Sequence, residues 1–562
     1  MDLSQVTTID THSPRFNMHH HEPYRLALIG CGPRGLYCLD SLSRALRKVS
    51  ADTMSPQSLE IVIYEPSPHP GAGNVYAVDQ PHMLRMNFAS QRIDAWIDDE
   101  DRTPDQLTLV DWLAIHHPEH AAPEGYAPRS IVGEYLHDCY QHTLRAVSQF
   151  ATVTLHQKRI EDVERIGNMW RIESADDSTK VDEIVLTVGH EGWRTRPSQR
   201  ERKHHPHQEH IDSVFPVQKQ LTTERVPPGC SVAIRGFGLT WIDAALSLTE
   251  GRGGRFEPSG KGFVYCVSGN EPRVIYPFSR TGRPMLAKPI QSLVKVSKTV
   301  DEIWEAGRVS LGHTPRPVDK SRFHELIWQP ILNTAQRALD ETGVKASVCE
   351  WWNDWRSDRF TAQRAFHEIR QSIAVAYGDH QPTAAWALAE AWRNLYSVLV
   401  KVVSHGGLDE NAWAEFRPLA AEMERIAYGP PAENLARIVA LVDAGIVDLS
   451  FVANPDETVL DQTDVDVIIN AVLPAPTDPA PTGPLTKLLE GGQLRRLNRF
   501  TGIDINRTGR PRSQVDETRD DIAIFGRITE GCVLGNDTLS RRLHSHIEDW
   551  AAEVAAKVIP NS

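Results

Sequence analysis

Three glycines, Gly30, Gly32 and Gly35, lie in the stretch IGCGPRG between the apolar run RLALI and an amphipathic segment. Spaced as G-x-G-x-x-G after a strand and before a helix, they form the pattern that holds a dinucleotide. The first permits a tight turn, the second lets a pyrophosphate approach the backbone, and the third lets helix and strand pack closely. Free backbone amides and the positive end of the helix dipole then face the phosphates. Glu65 ends the next apolar run, LEIVIYE, where a carboxylate can accept hydrogen bonds from ribose hydroxyls. It falls 30 residues after Gly35, beyond the roughly 20 usual, and the polar excursion VSADTMSPQS supplies the extra length.

A near echo, SVAIRGFGLTWIDAALSL, follows at residues 231–248. Gly236 and Gly238 repeat the turn, Trp241 takes the third glycine position, and Thr240 can hydrogen-bond a phosphate. The run GFVYCVSGNEP ends at Ser268 and Gly269 where an NAD site would place an acid, and that absence leaves room for the 2′-phosphate of NADP. Arg280, Arg283 and Lys288 in PFSRTGRPMLAK offer phosphate partners, since an arginine fork holds two phosphate oxygens; solvated loop charges are the other reading. Two such sites in one chain point to an electron relay, with one cofactor held and the other visiting.

The elements that position these turns give an α/β chain with two Rossmann-like dinucleotide-binding domains and a helical insertion. A flexible tail spans 1–23, the first domain begins over 24–215, and the second begins over 216–300. Residues 301–445 are mainly helical, with apolar residues at three- and four-residue spacing, and 446–562 return to both domains. Trp351, Trp352 and Trp355 in EWWNDW read as packing anchors, with a stacking role as the alternative.

At 562 residues the chain is long enough for several cored domains. A net charge of −14 argues against a broad nucleic-acid or anionic-membrane surface, which needs a concentrated positive field, while leaving room for local basic clusters. The seven cysteines are scattered with no C-x-x-C pair, which predicts a reducing, cytoplasmic compartment and no redox disulfide. Nothing approaches the run of about 18 apolar residues that a membrane span needs, and the first 23 residues lack the apolar core of a secretory signal. The three consecutive histidines of MHHHEP read as part of the tail, and no metal site is expected.

Five stretches resemble, in order, the two-dinucleotide-binding-domain flavoproteins, more narrowly the N-hydroxylating flavin monooxygenases. They are IGCGPRG, GAGNVYAVDQPHMLRMN, IVLTVGH, IRGFGLTWIDAALSLTEGRGGRF and IAIFGRITEGCVLGNDTLSRRLHSHIEDWA. The resemblance implies FAD on Gly30, Gly32, Gly35 and Glu65, closed over by Gly526, Arg527 and Thr529. It implies NADPH on Gly236, Gly238, Thr240, Arg280 and Arg283. HMLRMNFASQRIDAW is similar in position to the loop against the isoalloxazine, which nominates Met86 and Asn87; a packed loop without cofactor contact is the alternative. The implied reaction is O2-dependent hydroxylation of the amine of a small amino acid or related amine through a C4a-hydroperoxyflavin, with no single acid, base or nucleophile required. Some members of this group carry aspartate on to a nitroso or nitro product. A dicarboxylate needs paired cations, and NRTGRPRS offers Arg507, Arg510 and Arg512, for which structural ion pairing is an equal reading. Arg510 and Arg512 are the substrate candidates. The Baeyer–Villiger run F-x-G-x-x-x-H-x-x-x-W is absent, and the missing C-x-x-C argues against a disulfide reductase. Another NAD(P)H-dependent flavin oxidoreductase (an oxidase, dehydrogenase or S-oxygenase) and a non-catalytic dinucleotide-binding redox sensor stand as alternatives. A homo-oligomer is compatible with all of these.

Overall fold

Apolar runs such as RLALI, EIVL and VIIN leave neither face polar, and strands of that kind are stable only when covered on both sides, as in parallel sheets. A computed structural model, which describes residues 22–49, 59–189, 208–294, 296–473, 483–498, 501–514, 517–536 and 538–558, contains two such sheets. The expected tail and its histidines lie outside the described residues up to position 21.

The first sheet runs, in spatial order, Ile522–Ile524, Glu183–Leu186, Tyr24–Ile29, Leu59–Tyr64 and Thr152–His156, every pair parallel. With the first strand central and later strands on both sides, this is the doubly wound arrangement, whose ligands lie outside the carboxyl ends of the strands. Helices Pro33–Val49, Arg129–Val147 and His546–Val558 bury one face. The other face carries the antiparallel meander Asp162–Ile166, Met169–Ser174 and Asp177–Val181, with the loops between Leu485 and Val533.

The second sheet runs Val274–Phe278, Ser231–Arg235, Val467–Asn470 and Glu209–Ile211, again all parallel. Two sequence expectations are corrected here. Gly262–Cys266 pairs antiparallel with Arg255–Ser259 in a separate hairpin, so the strand beside Ser231–Arg235 is Val274–Phe278, and it ends at Ser279 and Arg280 rather than Ser268 and Gly269. Glu209–Ile211, which a boundary at 215 assigns to the first domain, is an edge strand of the second.

Helices from Thr299–Gly312 to Ala432–Asp443 share one continuous apolar core with the second sheet, so the helical insertion is structurally part of that unit. Trp352 and Trp355 are 3% and 0% exposed inside it, the packing anchors expected of EWWNDW. The cysteines are all free. Among the described residues no helix is long and apolar enough to cross a membrane, and no cluster of His, Cys, Asp or Glu could hold a metal ion.

Candidate functional site

The first glycine turn leaves the carboxyl end of the central strand. Gly30 has φ +88°, and a Cβ there would lie 2.8 Å from the Thr187 carbonyl oxygen, so no other residue fits without displacing the neighbouring strand. Gly32 faces Gly73 across the turn: a Cβ on Gly73 would stand 3.1 Å from the Gly32 Cα. The Gly71 amide donates to the Cys31 carbonyl (2.6 Å), so the loop PHPGAGN folds down over IGCGPRG. Two side-chain-free backbones thus meet at the place a pyrophosphate would approach. Glu65 is 6% exposed and accepts from the Cys31 amide (2.7 Å) and the Ser67 amide (2.9 Å). Those bonds aim its carboxylate at the mouth of the turn, where a ribose would sit. Glycine spacing and the carboxylate position therefore suit the ADP half of FAD. Gly71 and Gly73 escaped the sequence reading as site residues, although the G-A-G spacing was visible.

The closing turn follows the edge strand Ile522–Ile524. Gly526 has φ +88°, and its carbonyl accepts from the Thr529 hydroxyl (2.9 Å) and from the Asn536 amide nitrogen (2.8 Å), which also reaches the Thr529 oxygen (2.6 Å). Arg34, inside the first turn, donates to the carbonyls of Asn536 and Thr538. The two turns are therefore joined, 502 residues apart in sequence between Arg34 and Asn536. Arg527 pairs with Glu530 (3.1 Å) at the same bend. Arg34 and Asn536, which make this junction, carry no sequence signal of their own.

In the intervening loop, Met86 is 4% exposed and packs in the core of the first unit. Leu84, two residues earlier, belongs to the core of the second, so the loop stitches the two units together. The Asn87 carbonyl accepts from the Lys288 ammonium.

The second turn is looser. A Cβ on Gly236 would stand 3.1 Å from the Ala471 carbonyl oxygen, whereas one on Gly238 would meet nothing within 4 Å. Open space thus lies in front of the amino end of helix Leu239–Ser247, where phosphate is best received. Thr240 is 9% exposed in that first turn, and Trp241, stacked on Phe237 at 5.1 Å, is 2% exposed, so a core side chain occupies the place of the third glycine. Arg280 is exposed at the carboxyl end of Val274–Phe278, the position where a 2′-phosphate is received in this fold. Arg283 is corrected: its guanidinium is held by Glu422 (3.0 and 3.1 Å) and by the Trp355 and Asp358 carbonyls, so it anchors the helical insertion and has no fork left for a phosphate.

Arg510 is corrected too. Its side chain is 2% exposed and pairs with Glu183 (2.7 Å) and Glu553 (3.0 Å). Glu183, 0% exposed, also accepts from Tyr24, Trp550 and Lys557. It is the first residue of its strand, so this hub lies at the amino ends of the first sheet, opposite the ligand side. Arg512 is half-buried in the same loop, its amide bonded to the Asp504 carbonyl and its carbonyl to the Arg495 amide; Arg507 is exposed.

Residues 27–191 match a family profile described as FAD-NAD(P)-binding. The chain is 26% identical to an L-aspartate N-monooxygenase (nitrosuccinate-forming) of Streptomyces davaonensis, over 84% of this chain and 85% of that one. It is 24% identical to a nitrosuccinic acid synthase of Aspergillus oryzae, over 78% and 74% of the two chains. Among solved structures, L-lysine 6-monooxygenase of Pseudomonas syringae covers 95% of this chain and 99% of its own at 13% identity and a TM-score of 0.44.

Proposed function

We propose that this chain, a flavoprotein with two dinucleotide-binding units and sequence kinship to nitrosuccinate-forming aspartate N-monooxygenases, is an FAD- and NADPH-dependent enzyme that hydroxylates the amine of a small amino acid, aspartate foremost. The observation that carries this reading is the reach of the kinship. A similarity spanning 84% of the chain takes in far more than one nucleotide-binding module.

Bound FAD, reduced by NADPH, supplies the activation of O2 and the oxygen transfer. The chain's own residues supply the rest. Amides of the Gly30–Gly35 turn hold the pyrophosphate and the Glu65 carboxylate holds the ribose, while Arg34 and Asn536 draw the Gly526–Thr529 turn over the same site. The amides after Gly238, with Thr240 and Arg280, receive the phosphates of NADPH at the second sheet. An amine attacks only when unprotonated, so an apolar, water-excluding site that disfavours the ammonium form serves the reaction.

The test is NADPH oxidation by the FAD-loaded protein under O2, with aspartate, ornithine and lysine each in turn and mass analysis of the products. Substrate-stimulated oxidation with a hydroxylamine or nitroso product is expected from aspartate. NADPH consumption that yields only hydrogen peroxide with every amine overturns the proposal.

A further inference from the structure

Three cations among the described residues are buried as whole residues: Lys288 at 7% exposure, Arg437 at 9% and Arg510 at 2%. Burying a charge without a counter-charge is costly, and two of the three obey that rule. Arg437 is paired with Glu250 (3.0 Å) and Glu433 (2.5 Å), and Arg510 with Glu183 and Glu553. Lys288 has no carboxylate partner among the described residues. Its ammonium gives one hydrogen bond, to the Asn87 carbonyl, and lies 4.0 Å from the Phe88 ring centroid and 5.5 Å from that of Tyr428. Ring faces attract a cation but do not neutralise it, and an ammonium carries three donors, of which one is satisfied.

The surroundings fit a small anion. Arg393 and Glu390, the charged groups that act on Lys288, are already paired with each other at 2.5 Å and so leave its charge uncompensated. Burial, with Arg393 adding to it, holds the Lys288 ammonium well below its ordinary pKa, and an anion beside the nitrogen would oppose that fall. Three parts of the chain converge here: the loop carrying Asn87 and Phe88 from the first unit, the segment after Arg283 from the second, and Tyr428 at the end of helix Glu410–Ala427. Tyr396 packs beside Tyr428 at 5.5 Å and also faces Gly535, beyond the closing turn. Aromatic walls around one cation suit a short aliphatic carboxylate better than a hydrated phosphate.

We propose that Lys288 is the cation that anchors a carboxylate of the amino-acid substrate, between Phe88, Tyr428 and the Asn87 carbonyl. This rests on the N-hydroxylase reading and takes over the role for which Arg510 and Arg512 are the sequence candidates.

The test is calorimetric titration of the FAD-loaded protein with succinate, a dicarboxylate with no amine to oxidise, and separately with NADP+. Lys288→Met is expected to weaken succinate by about tenfold or more, the worth of one charge-assisted hydrogen bond, and Lys288→Arg to restore part of the loss. Wild-type protein that binds no succinate, or equal succinate affinity in Lys288→Met, overturns the proposal, as does a variant whose loss falls on NADP+ instead. Should Lys288→Met not fold, wild-type protein treated with acetic anhydride gives the answer by mass spectrometry. Succinate is expected to shield Lys288 while surface lysines react as before, and unchanged acetylation at Lys288 overturns the proposal. The two readings fail separately. If no amine is ever oxygenated, the function falls while the succinate titration still judges the anchor. A Lys288→Met enzyme that still hydroxylates aspartate at unchanged KM removes the anchor and leaves the function standing.

Discussion

Gly32 and Gly35 are both glycines of one motif, yet the structure gives them different jobs and therefore different mutant behaviour. A Cβ on Gly32 would meet only the Gly73 backbone, its Cα at 3.4 Å and its nitrogen at 3.8 Å, which is ordinary contact, but it would stand where the proposed FAD pyrophosphate would approach. A Cβ on Gly35 would lie 2.7 Å from the Gly30 carbonyl oxygen and force helix and strand apart. Gly32→Ala is therefore expected to unfold at nearly the wild-type temperature while binding FAD about tenfold more weakly or worse. Gly35→Ala is expected to lose stability on the order of 1–3 kcal/mol. Flavin absorbance per protein and thermal melts of the two apoproteins distinguish these outcomes; matching losses from both variants would count against the division of labour. The same contrast separates two arginines that look alike in PFSRTGRP. Arg280→Ala should leave stability within about 0.5 kcal/mol and raise KM for NADPH, whereas Glu422→Ala strands the Arg283 guanidinium and should cost about 2–5 kcal/mol. Melting curves and initial rates over a range of NADPH concentrations check both.

Elements were legible where their signal is local. The strand, glycine turn and helix at 24–49 declare themselves within one window, as does Glu65 at the end of its strand, because turn chemistry and apolar runs act over a few residues. What failed was long-range pairing. GFVYC and VIYPF are both short apolar runs after the second helix, and nothing in either tells a hairpin strand from a parallel one. Arg510 and Lys288 were likewise opaque: the partner of one is 327 residues away, and the other is defined by a partner it lacks. The closing turn adds an element-level prediction. Its flank holds His544 and His546, the latter 4% exposed and stacked on Phe525 at 5.3 Å, directly before Gly526. Burial pushes His544 down to about 4, and burial with the nearby His544, Arg34 and His405 holds His546 well below the ordinary value of 6.5. Both rings are neutral when folded and gain protons more readily when unfolded. Their contribution to stability is therefore complete above pH 6.5 and drains as pH falls toward the folded values. For His544 alone the loss reaches about 2 kcal/mol by pH 5. Urea midpoints should fall between pH 7.5 and 5, with flavin release in step, and the slope should be shallower in His544→Asn. Midpoints that stay level over that range contradict the assignment.

The whole molecule depends on holding two nucleotide units in one register, and the clearest joint between them is ionic. Arg129, at the start of a helix of the first unit, meets Asp243 in the glycine-turn helix of the second at 2.8 Å, with side chains 14% and 5% exposed. Burial raises the Asp243 carboxyl and Arg129 opposes that rise, so the carboxylate depends on its partner across the boundary. Gln218 donating to the Asp79 carbonyl (2.5 Å) and Met83 packed near Gly251 reinforce the same seam. Removing one charge leaves the other buried and unpaired, a loss of about 3–5 kcal/mol, whereas replacing both by apolar groups should lose markedly less. The expected functional consequence is selective. Neither residue belongs to the proposed contacts of either cofactor, so affinities for FAD and NADPH should hold while anaerobic flavin reduction by NADPH slows, because hydride transfer is sensitive to displacements of about 1 Å between the reacting groups. A double-mutant cycle on Arg129→Met and Asp243→Leu, read by both urea unfolding and stopped-flow reduction, separates the cases. Coupling in stability with a matching coupling in reduction rate means that the joint sets the register between the units. Coupling in stability alone reduces it to a structural rivet, and additive losses in both would mean that the two units are aligned instead by the loop that seats Met86 in one core and Leu84 in the other.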